Sequence, residues 1–367
     1  MRRTSTRLSD GRELIYFDAE TEAERTAPDL RGLTPGDAAR STMRLDPLTE
    51  QWVTIAGHRQ SRVHLPAASE CPLCPSAAGH LSEIPESDYE VVVFENRSPS
   101  FSQAASGTEL SSDLPWDREV PAHGRCEVVA YTADHEGSAA TLSRTRMRLV
   151  IRAWMDRDRE LSQLRGIRYV FVFENRGAEV GVTLHHPHGQ IYAYPYVPPT
   201  VQEQLHVAAR FRKRTGIPLL DSVIARERAD GRRVIVENDN WIVFVPFAAR
   251  WPFEVQIHPR ESRTGLSQLT DAEQESLSEL FPRLVRALDS IFNSRLPYMA
   301  GWSQVPAHAS REELVDSRLF MRLISNRRAS DKLKYLASSE SLMGAFVTDV
   351  SPEEAATRIR DAWESTE

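Results

Sequence analysis

The sequence predicts an α+β fold built from two tandem copies of one unit, each an antiparallel sheet with helices packed on it, joined as one pseudo-duplicated subunit. Three observations predict it. Segments rich in β-branched and aromatic residues alternate with amphipathic helical segments along the chain. The order strands, helix, strands occurs twice. Glu127-Val128 opens one strand and Glu254-Val255 opens another 127 residues later, and a helix near 142 recurs near 269 at the same spacing. Coincidence between two ordinary strand–helix units is the alternative. The expected divisions are an N-terminal arm over 1–42, a first unit over 43–200, a connecting helical segment over 201–233, a second unit over 234–350 and a closing helix over 351–367.

The elements follow in order. Residues 1–42 are polar and irregular apart from ELIYFD. RLDPLTEQWVTIA alternates and predicts a strand near 51–56, and 70–88 is a loop with Pro and Cys. DYEVVVFENR reads as a strand ending at Asn96, and CEVVAYT (126–132) as another. Apolar residues at helical spacing mark 142–161. IRYVFVFENRG (167–177) is a strand turning at Gly177, GQIYAYPYV (189–197) follows, and 200–228 is helical. RVIVENDNWIVFVPF supplies two strands around an Asn-Asp-Asn turn, and FEVQIHP (253–259) a third. The helix over 269–292 has Thr270 as N-cap, with Glu273 completing a capping box.

Composition narrows the function classes. The 367 residues carry 45 Lys and Arg against 52 Asp and Glu, a net charge of −7. That argues against a general nucleic-acid binder but leaves room for a small anion in a local basic pocket. No run nears about 20 apolar residues, so no membrane span is expected. MRRTSTRLSDGREL has no apolar core of a secretory signal, so a cytoplasmic protein is expected. An odd set of three cysteines, Cys71, Cys74 and Cys126, disfavours a disulfide framework. The CPLC knuckle of Cys71 and Cys74 reads as half a zinc site, a redox pair or a plain turn with buried thiols; Cys126 reads as core. Lysine is confined to Lys213, Lys332 and Lys334.

The informative stretch is GVTLHHPHGQ (181–190), with three histidines and a glutamine in its last six residues. Imidazoles seldom crowd a core without partners. Pro187 pushes His186 toward extended geometry, and a side-chain period of two then puts His186, His188 and Gln190 on one face. A surface histidine cluster or an adventitious metal site is the bland alternative.

HPHGQ, together with RLDPLTEQWVTIAGHRQSR, CPLCPS, FENR at 94–97 and 173–176, DH at 134–135, WPFEV, PYMAGW and KYLASSE in this order, resembles the galactose-1-phosphate uridylyltransferases of the histidine-triad superfamily, over roughly 44–350. The resemblance is to an actinobacterial-type member with an altered sugar pocket. It implies tandem histidine-triad-like units and His188 as a nucleophile that takes a uridylyl group from a UDP-sugar and passes it to a sugar 1-phosphate, with ping-pong kinetics. It implies that the backbone carbonyl of His186 orients His188, and that Gln190 donates to phosphoryl oxygens but cannot readily move a proton. One structural zinc is implied on Cys71, Cys74, His135 and His186, a tetrahedral set with no open position. Arg59 and Arg62 match residues near the diphosphate, and Asn96, Asn175 and Thr183 match nucleotide or phosphate contacts. Lys334 and Glu340 match residues that reach the sugar phosphate from a neighbouring subunit, which implies a homodimer with shared active sites.

Some positions depart from the family pattern. Many members carry a second metal site; the aligned positions here are Gln204, Ser303, Phe320 and Arg322, so no second metal is expected, and Phe320 and Arg322 are expected to fill the second copy's HxH slot. Ser98 stands where an aromatic residue is usual, Ser338 where Gly is usual and Phe346 where some relatives place a polar sugar contact. The first expectation is therefore uridylyl transfer between UDP-glucose and galactose 1-phosphate. The second is a uridylyltransferase of specialised metabolism using another sugar 1-phosphate, such as an aminopentose for a nucleoside antibiotic, with UTP as a possible donor. A dinucleotide hydrolase or phosphorylase is disfavoured by Gln190, and a non-catalytic nucleotide binder by the retained His188.

Overall fold

The fold was obtained as a computed structural model, which describes residues 1–20, 22–34, 41–61, 66–106, 109–111, 114 and 116–366. The chain opens with β1 (Arg2–Arg7) and β2 (Glu13–Asp18), then β3 (Thr42–Leu45), β4 (Trp52–Ile55), β5 (Val91–Glu95), the short β6 (Leu110–Ser111), β7 (Arg118–Pro121) and β8 (Arg125–Ala130). Helix α1 (Arg144–Ser162) leads to β9 (Tyr169–Arg176) and β10 (His188–Tyr194). Helices α2 (Pro199–Thr215) and α3 (Leu219–Asp230) connect to β11 (Val234–Glu237), β12 (Trp241–Phe244) and β13 (Val255–Pro259). After α4 (Asp271–Ser290) come β14 (Tyr298–Ser303), α5 (Arg311–Asp316) and β15 (Phe320–Ile324). The chain ends with β16 (Arg327–Ala329), β17 (Lys332–Leu333), α6 (Ser338–Met343) and α7 (Pro352–Ser365). None of the described helices is long and apolar enough to cross a membrane.

One eleven-stranded sheet organises the molecule, in the order β1-β2-β5-β8-β10-β9-β14-β15-β13-β12-β11. Helices α1, α4 and α7 cover one face with the main apolar core, which runs from Phe17 through Trp154 and Leu284 to Ile359. The cysteine loop covers part of the other face through Cys71, Leu73, Ile84 and Tyr89, packed on Val92, Phe94, Val128 and Ala130. Toward the far edge, Ile224 of α3 covers Ile242 and Phe244. A second sheet in the order β4-β3-β7-β6 packs with Phe101 on Cys126, Tyr192 and Tyr194, and His188 and Gln190 at the start of β10 stay half-buried.

The strand order reads symmetrically about the β9–β14 seam. One row crosses the sheet as Val128, Gln190, Phe173, Gly301, Arg322 and Gln256. Val128 therefore answers to Gln256, Phe173 to Gly301, and Gln190 to Arg322. The duplication stands, but the matched Glu-Val pairs are not equivalent. The strand spacing is 128, and a slip of one residue exchanges faces. Glu127 points to Arg157 on α1, whereas Glu254 accepts from Arg322. The N-caps Ser143 and Thr270 keep the 127-residue spacing, and Thr270 makes the expected capping box with Glu273. The row also shifts the expected HxH slot: Arg322 occupies the place of Gln190, and Phe320, two residues earlier, that of His188.

The start of the chain differs from the expected irregular arm. β1 and β2 form a hairpin that extends the sheet beyond β5. In β2, Leu14 and Tyr16 are buried on one face and Ile15 and Phe17 on the other. β1 is the edge strand, and its alternating exposure suits the charged sequence RRTSTR, which blunts edge pairing. A polar composition concealed a strand because an edge strand is meant to be polar.

Strand β8 is tied to α1 by a buried ion pair. Arg157 donates to both Glu127 oxygens at 2.8 and 2.9 Å, and both side chains are 1% exposed. Removing Arg157 leaves the buried Glu127 with only the Arg125 Nε contact at 3.1 Å. Arg157→Met should therefore cost about 3–5 kcal/mol in urea unfolding; a loss below about 1 kcal/mol, the value of an exposed pair, would contradict it.

Candidate functional site

Pro187 ends the loop and β10 begins at His188, so the residues of GVTLHHPHGQ are fixed by backbone contacts on both sides. The Tyr131 N–H donates to the Pro187 carbonyl at 3.1 Å. His188 pairs with Ala130 and Gln190 with Val128, and both side chains are half-buried on the accessible face. His188 Nδ1 lies 2.7 Å from the His186 carbonyl. A carbonyl only accepts, so Nδ1 carries the proton and Nε2 keeps its lone pair. Burial pushes the His188 pKa below the ordinary imidazole value, with the His186 carbonyl acting in the opposite sense.

His186 is buried and uses its ring differently. Nε2 lies 2.7 Å from the Thr132 carbonyl and 2.9 Å from the Tyr89 hydroxyl, so Nε2 is the protonated nitrogen. Nδ1 then faces Cys74 Sγ at 3.6 Å, and His135 Nδ1 lies 3.4 Å from the same sulfur. Cys71, Cys74, His135 and His186 offer four ligand atoms within 4.8 Å of one another. Metal–sulfur and metal–nitrogen bonds of about 2.3 and 2.0–2.1 Å in a tetrahedron require S···N edges of about 3.5 Å, so the cluster fits a thiophilic divalent cation. Burial and the neighbouring Cys71 thiol push Cys74 up to about 12, and burial lowers His186 to about 4. A bound cation reverses the thiol shift, because a coordinating thiol is deprotonated.

The other expected site residues divide. Arg59 donates to Ser100 Oγ and, at 3.2 Å, to Tyr192 Oη, two residues along β10 from Gln190. The Asn96 N–H bonds the Cys126 carbonyl at 2.8 Å, while its side chain accepts from the Ser98 N–H at 2.9 Å. Asn175 follows Glu174, the residue of β9 that pairs with Gly189, and pairs with Met299 on its other side. Thr183 is half-buried in the loop before the histidines. Arg62 lies outside the described residues. Lys334 and Glu340 do meet, at 2.9 Å, but Lys334 Nζ also donates to the Arg250 carbonyl at 3.1 Å and to the Val347 carbonyl. Its three N–H groups are all used within its own chain.

Residues 33–198 match the profile of the galactose-1-phosphate uridyl transferase N-terminal domain, and residues 204–366 that of the C-terminal domain. The chain belongs to the galactose-1-phosphate uridylyltransferase family. A Streptomyces lividans galactose-1-phosphate uridylyltransferase is 39% identical over 98% of both chains. The Thermotoga maritima enzyme of that name is 34% identical over 87% of this chain and 98% of its own. A solved uridylyltransferase superposes with a TM-score of 0.77 at 29% identity, covering 88% of this chain and 98% of that one. An ADP-glucose phosphorylase of Arabidopsis thaliana shares the fold, with a TM-score of 0.67 at 24% identity over 88% and 99%.

The four positions expected to lack metal ligands are spatially grouped. Gln204, Ser303, Phe320 and Arg322 converge on one cavity of about 510 Å³. Ser303 Oγ donates to Gln204 Oε1 at 3.4 Å, and Arg322 Nε donates to Glu254 at 2.7 Å. A carboxamide, a hydroxyl, a phenyl ring and a guanidinium are not a hard-metal donor set. Phe346 lies under the Arg250 guanidinium at 4.8 Å.

Sequence reasoning missed Gly189 and what lies beneath it. A Cβ there would meet Tyr131 Oη at 2.2 Å and the Phe173 carbonyl at 3.0 Å. Across the ladder from Gly189 is Glu174, buried, whose Oε1 accepts from Tyr298 Oη at 2.5 Å. Burial pushes the Glu174 carboxyl up, while the Tyr298 hydrogen bond lowers it. The strand between His188 and Gln190 thus rests on Tyr131. The repeated FENR was the signal for Glu174; nothing in the sequence indicated Tyr131.

Cys71→Ser or Cys74→Ser should lower bound metal and stability before altering chemistry; elemental analysis near zero in fully folded wild type would remove the metal. Gly189→Ala should cost about 1–3 kcal/mol by overpacking in urea unfolding. Adding Tyr131→Phe should recover part of that loss, and a Gly189→Ala protein as stable as wild type would contradict the contact.

Proposed function

We propose that the chain moves a uridylyl group between UDP-glucose and galactose 1-phosphate through a uridylyl-histidine at His188. One observation carries the proposal: the His186 carbonyl accepts a hydrogen bond from His188 Nδ1–H, leaving the Nε2 lone pair on the half-buried face that Gln190 shares. Nε2 attacks the α-phosphorus of UDP-glucose. The P–N bond forms as the bond to the β-phosphate oxygen breaks, and glucose 1-phosphate leaves with that electron pair. The ring becomes a cation, and its Nδ1–H···O=C bond to His186 shortens the charge's path to a fixed dipole. Galactose 1-phosphate then attacks the same phosphorus, the P–N bond breaks, and UDP-galactose leaves the neutral ring behind. No proton need be gained or lost, so a carboxamide at 190 is sufficient. Gln190 donates to the phosphoryl oxygens and does not activate water, which preserves the intermediate for a sugar phosphate.

Zinc is the metal proposed for Cys71, Cys74, His135 and His186. When bound it supplies a structural tetrahedral centre with no open position. His186 then serves twice, its ring in the cluster and its carbonyl on His188. Arg59 supplies a guanidinium for the diphosphate from beside Tyr192. A homodimer is proposed as well. Tyr335, Leu342, Met343 and Val347, on the segment that carries Lys334 and Glu340, are 65–77% exposed, and a second copy is the natural cover for such an apolar patch.

A second reading follows from the sugar half. Lys334 is saturated within its chain, and Phe346 is held under Arg250. Those observations favour a relative that uses another sugar 1-phosphate, whose donor would be a UDP-sugar or UTP. Initial rates with UDP-glucose plus galactose 1-phosphate, against UTP plus other sugar 1-phosphates, separate the two.

Mixed with UDP-glucose, the wild type should gain one uridylyl group by mass spectrometry, and His188→Ala should gain none. A wild type that gains nothing from any UDP-sugar or from UTP would defeat the transferase and leave a binding protein.

A further inference from the structure

Behind the histidine segment lies an acid that the chemistry above does not use. Glu174 is buried on the side of the sheet that carries the main core, in step with Val170 and Val172 of the same strand. Its Oε1 accepts from Tyr298 Oη at 2.5 Å. Its Oε2, the Tyr131 hydroxyl and the Trp154 Nε1 are also buried, and among the described residues none of the three has a hydrogen-bond partner. They form one cluster. The Tyr131 and Trp154 rings meet edge to face at 6.1 Å, and the Tyr131 hydroxyl and the Glu174 carboxyl each shift the other's titration.

Glu174 has no ion pair of its own among the described residues. Arg176, two residues on and on the same face, is committed elsewhere. Its guanidinium donates to Asp289 at 3.1 Å and to the Leu296 carbonyl at 3.0 and 2.7 Å, and it lies over the Tyr298 ring at 4.6 Å. A carboxyl buried without a cation is costly, and groups so placed beside a reactive centre are candidates for function. The position is specific. Gly189 is the ladder partner of Glu174, and a Cβ on Gly189 would meet Tyr131 Oη at 2.2 Å. The cluster reaches the strand because residue 189 has no side chain. His188 and Gln190 flank Gly189 and point to the other face, so one strand of backbone separates the acid from the nucleophile.

We propose that Glu174 is the buried counter-charge of His188, a positioning residue held as a carboxylate by Tyr298 and Tyr131 that favours the cationic ring formed when Nε2 takes an electrophile. The inference deepens the transferase reading above and rests on it for the natural electrophile. In that reading the ring gains positive charge as the P–N bond forms and loses it as that bond breaks. The His186 carbonyl offers this charge a dipole. Glu174 adds a full charge, fixed before the reaction and in an interior where screening is weak. The Tyr298 and Tyr131 hydroxyls and the Arg176 charge favour the ionised carboxyl, and burial opposes them.

The test uses full-length, metal-loaded protein and two reagents. Diethyl pyrocarbonate acylates an imidazole lone pair through a cationic ring and needs no UDP-sugar; peptide mass spectrometry gives its rate at His188 against the exposed His206. UDP-glucose gives the single-turnover rate of uridylylation. Glu174→Gln keeps the shape and removes the charge, whereas Glu174→Asp keeps the charge and shortens the side chain. A thermal melt identifies the folded variants. Both rates at His188 should fall about tenfold in Glu174→Gln and less in Glu174→Asp, with UDP affinity and the His206 rate as in wild type. Should the glutamine variant not fold, Tyr298→Phe carries the test, with an expected loss of about threefold from one hydrogen bond. Unchanged rates overturn the proposal, as does a greater loss in Glu174→Asp than in Glu174→Gln, which would make the role one of shape. So does a wild-type His188 that diethyl pyrocarbonate leaves unmodified while His206 reacts. If acylation follows the expected order but UDP-glucose transfers nothing to wild type, only the transferase falls. If wild type is uridylylated and Glu174→Gln matches it with both reagents, only the counter-charge falls.

Discussion

The hydrogen bond from His188 Nδ1 to the His186 carbonyl is the constraint on which the rest of the structure depends. It assigns the lone pair of the His188 ring by geometry instead of leaving it to solvent. His186 can hold its carbonyl there because its own ring is fixed by Thr132, Tyr89 and the cysteine cluster. Thr132 and Tyr131 are adjacent residues that continue β8. One accepts from the His186 ring, and the other donates to the Pro187 carbonyl and supports Gly189. The end of a single strand thus holds positions 186, 187 and 189 of the histidine segment. Arg157 fixes that strand to α1 from the opposite face.

The pseudo-symmetric sheet shows how the two copies of the duplicated unit differ at the position of the histidine segment. Phe320 and Arg322 take the places of His188 and Gln190, so the second copy keeps the ladder and has no imidazole there. His258 illustrates what replaced it. This buried ring stacks between Phe244 and Phe320 at 5.0 and 4.9 Å, and burial lowers its pKa to about 3. It is a neutral packing element where the first copy has Ala130, the partner of His188. The residue at the row's centre is Phe173 on one side and Gly301 on the other, and that difference in volume opens the cavity at the seam.

Much of this was legible in the sequence, for physical reasons. Pro187 between two histidines restricts the backbone, so the direction of His188 followed from local geometry. Cys71 and Cys74 with two distant histidines form a donor set that few other roles explain. Thr270 and Glu273 announced α4 because a cap is a local motif. Other features depend on partners far along the chain. The β1–β2 hairpin looked like an irregular arm because an edge strand carries polar residues. The Glu-Val repeat suggested a spacing one residue too short, and only the ladder pairing shows that Glu127 and Glu254 face opposite sides. Lys334 looked available for a ligand, yet Arg250 and Val347, distant in sequence, use its donors. Tyr131 under Gly189 gave no signal, since a tyrosine ending an apolar strand reads as ordinary core.

The central claim concerns one proton, and nitrogen-15 NMR of histidine-labelled protein at neutral pH observes it directly, with His188 assigned by its loss in a His188→Ala control. The account predicts a protonated Nδ1 and an unprotonated Nε2 on that ring. A ring with the proton on Nε2 would have no lone pair to offer phosphorus there and would contradict it.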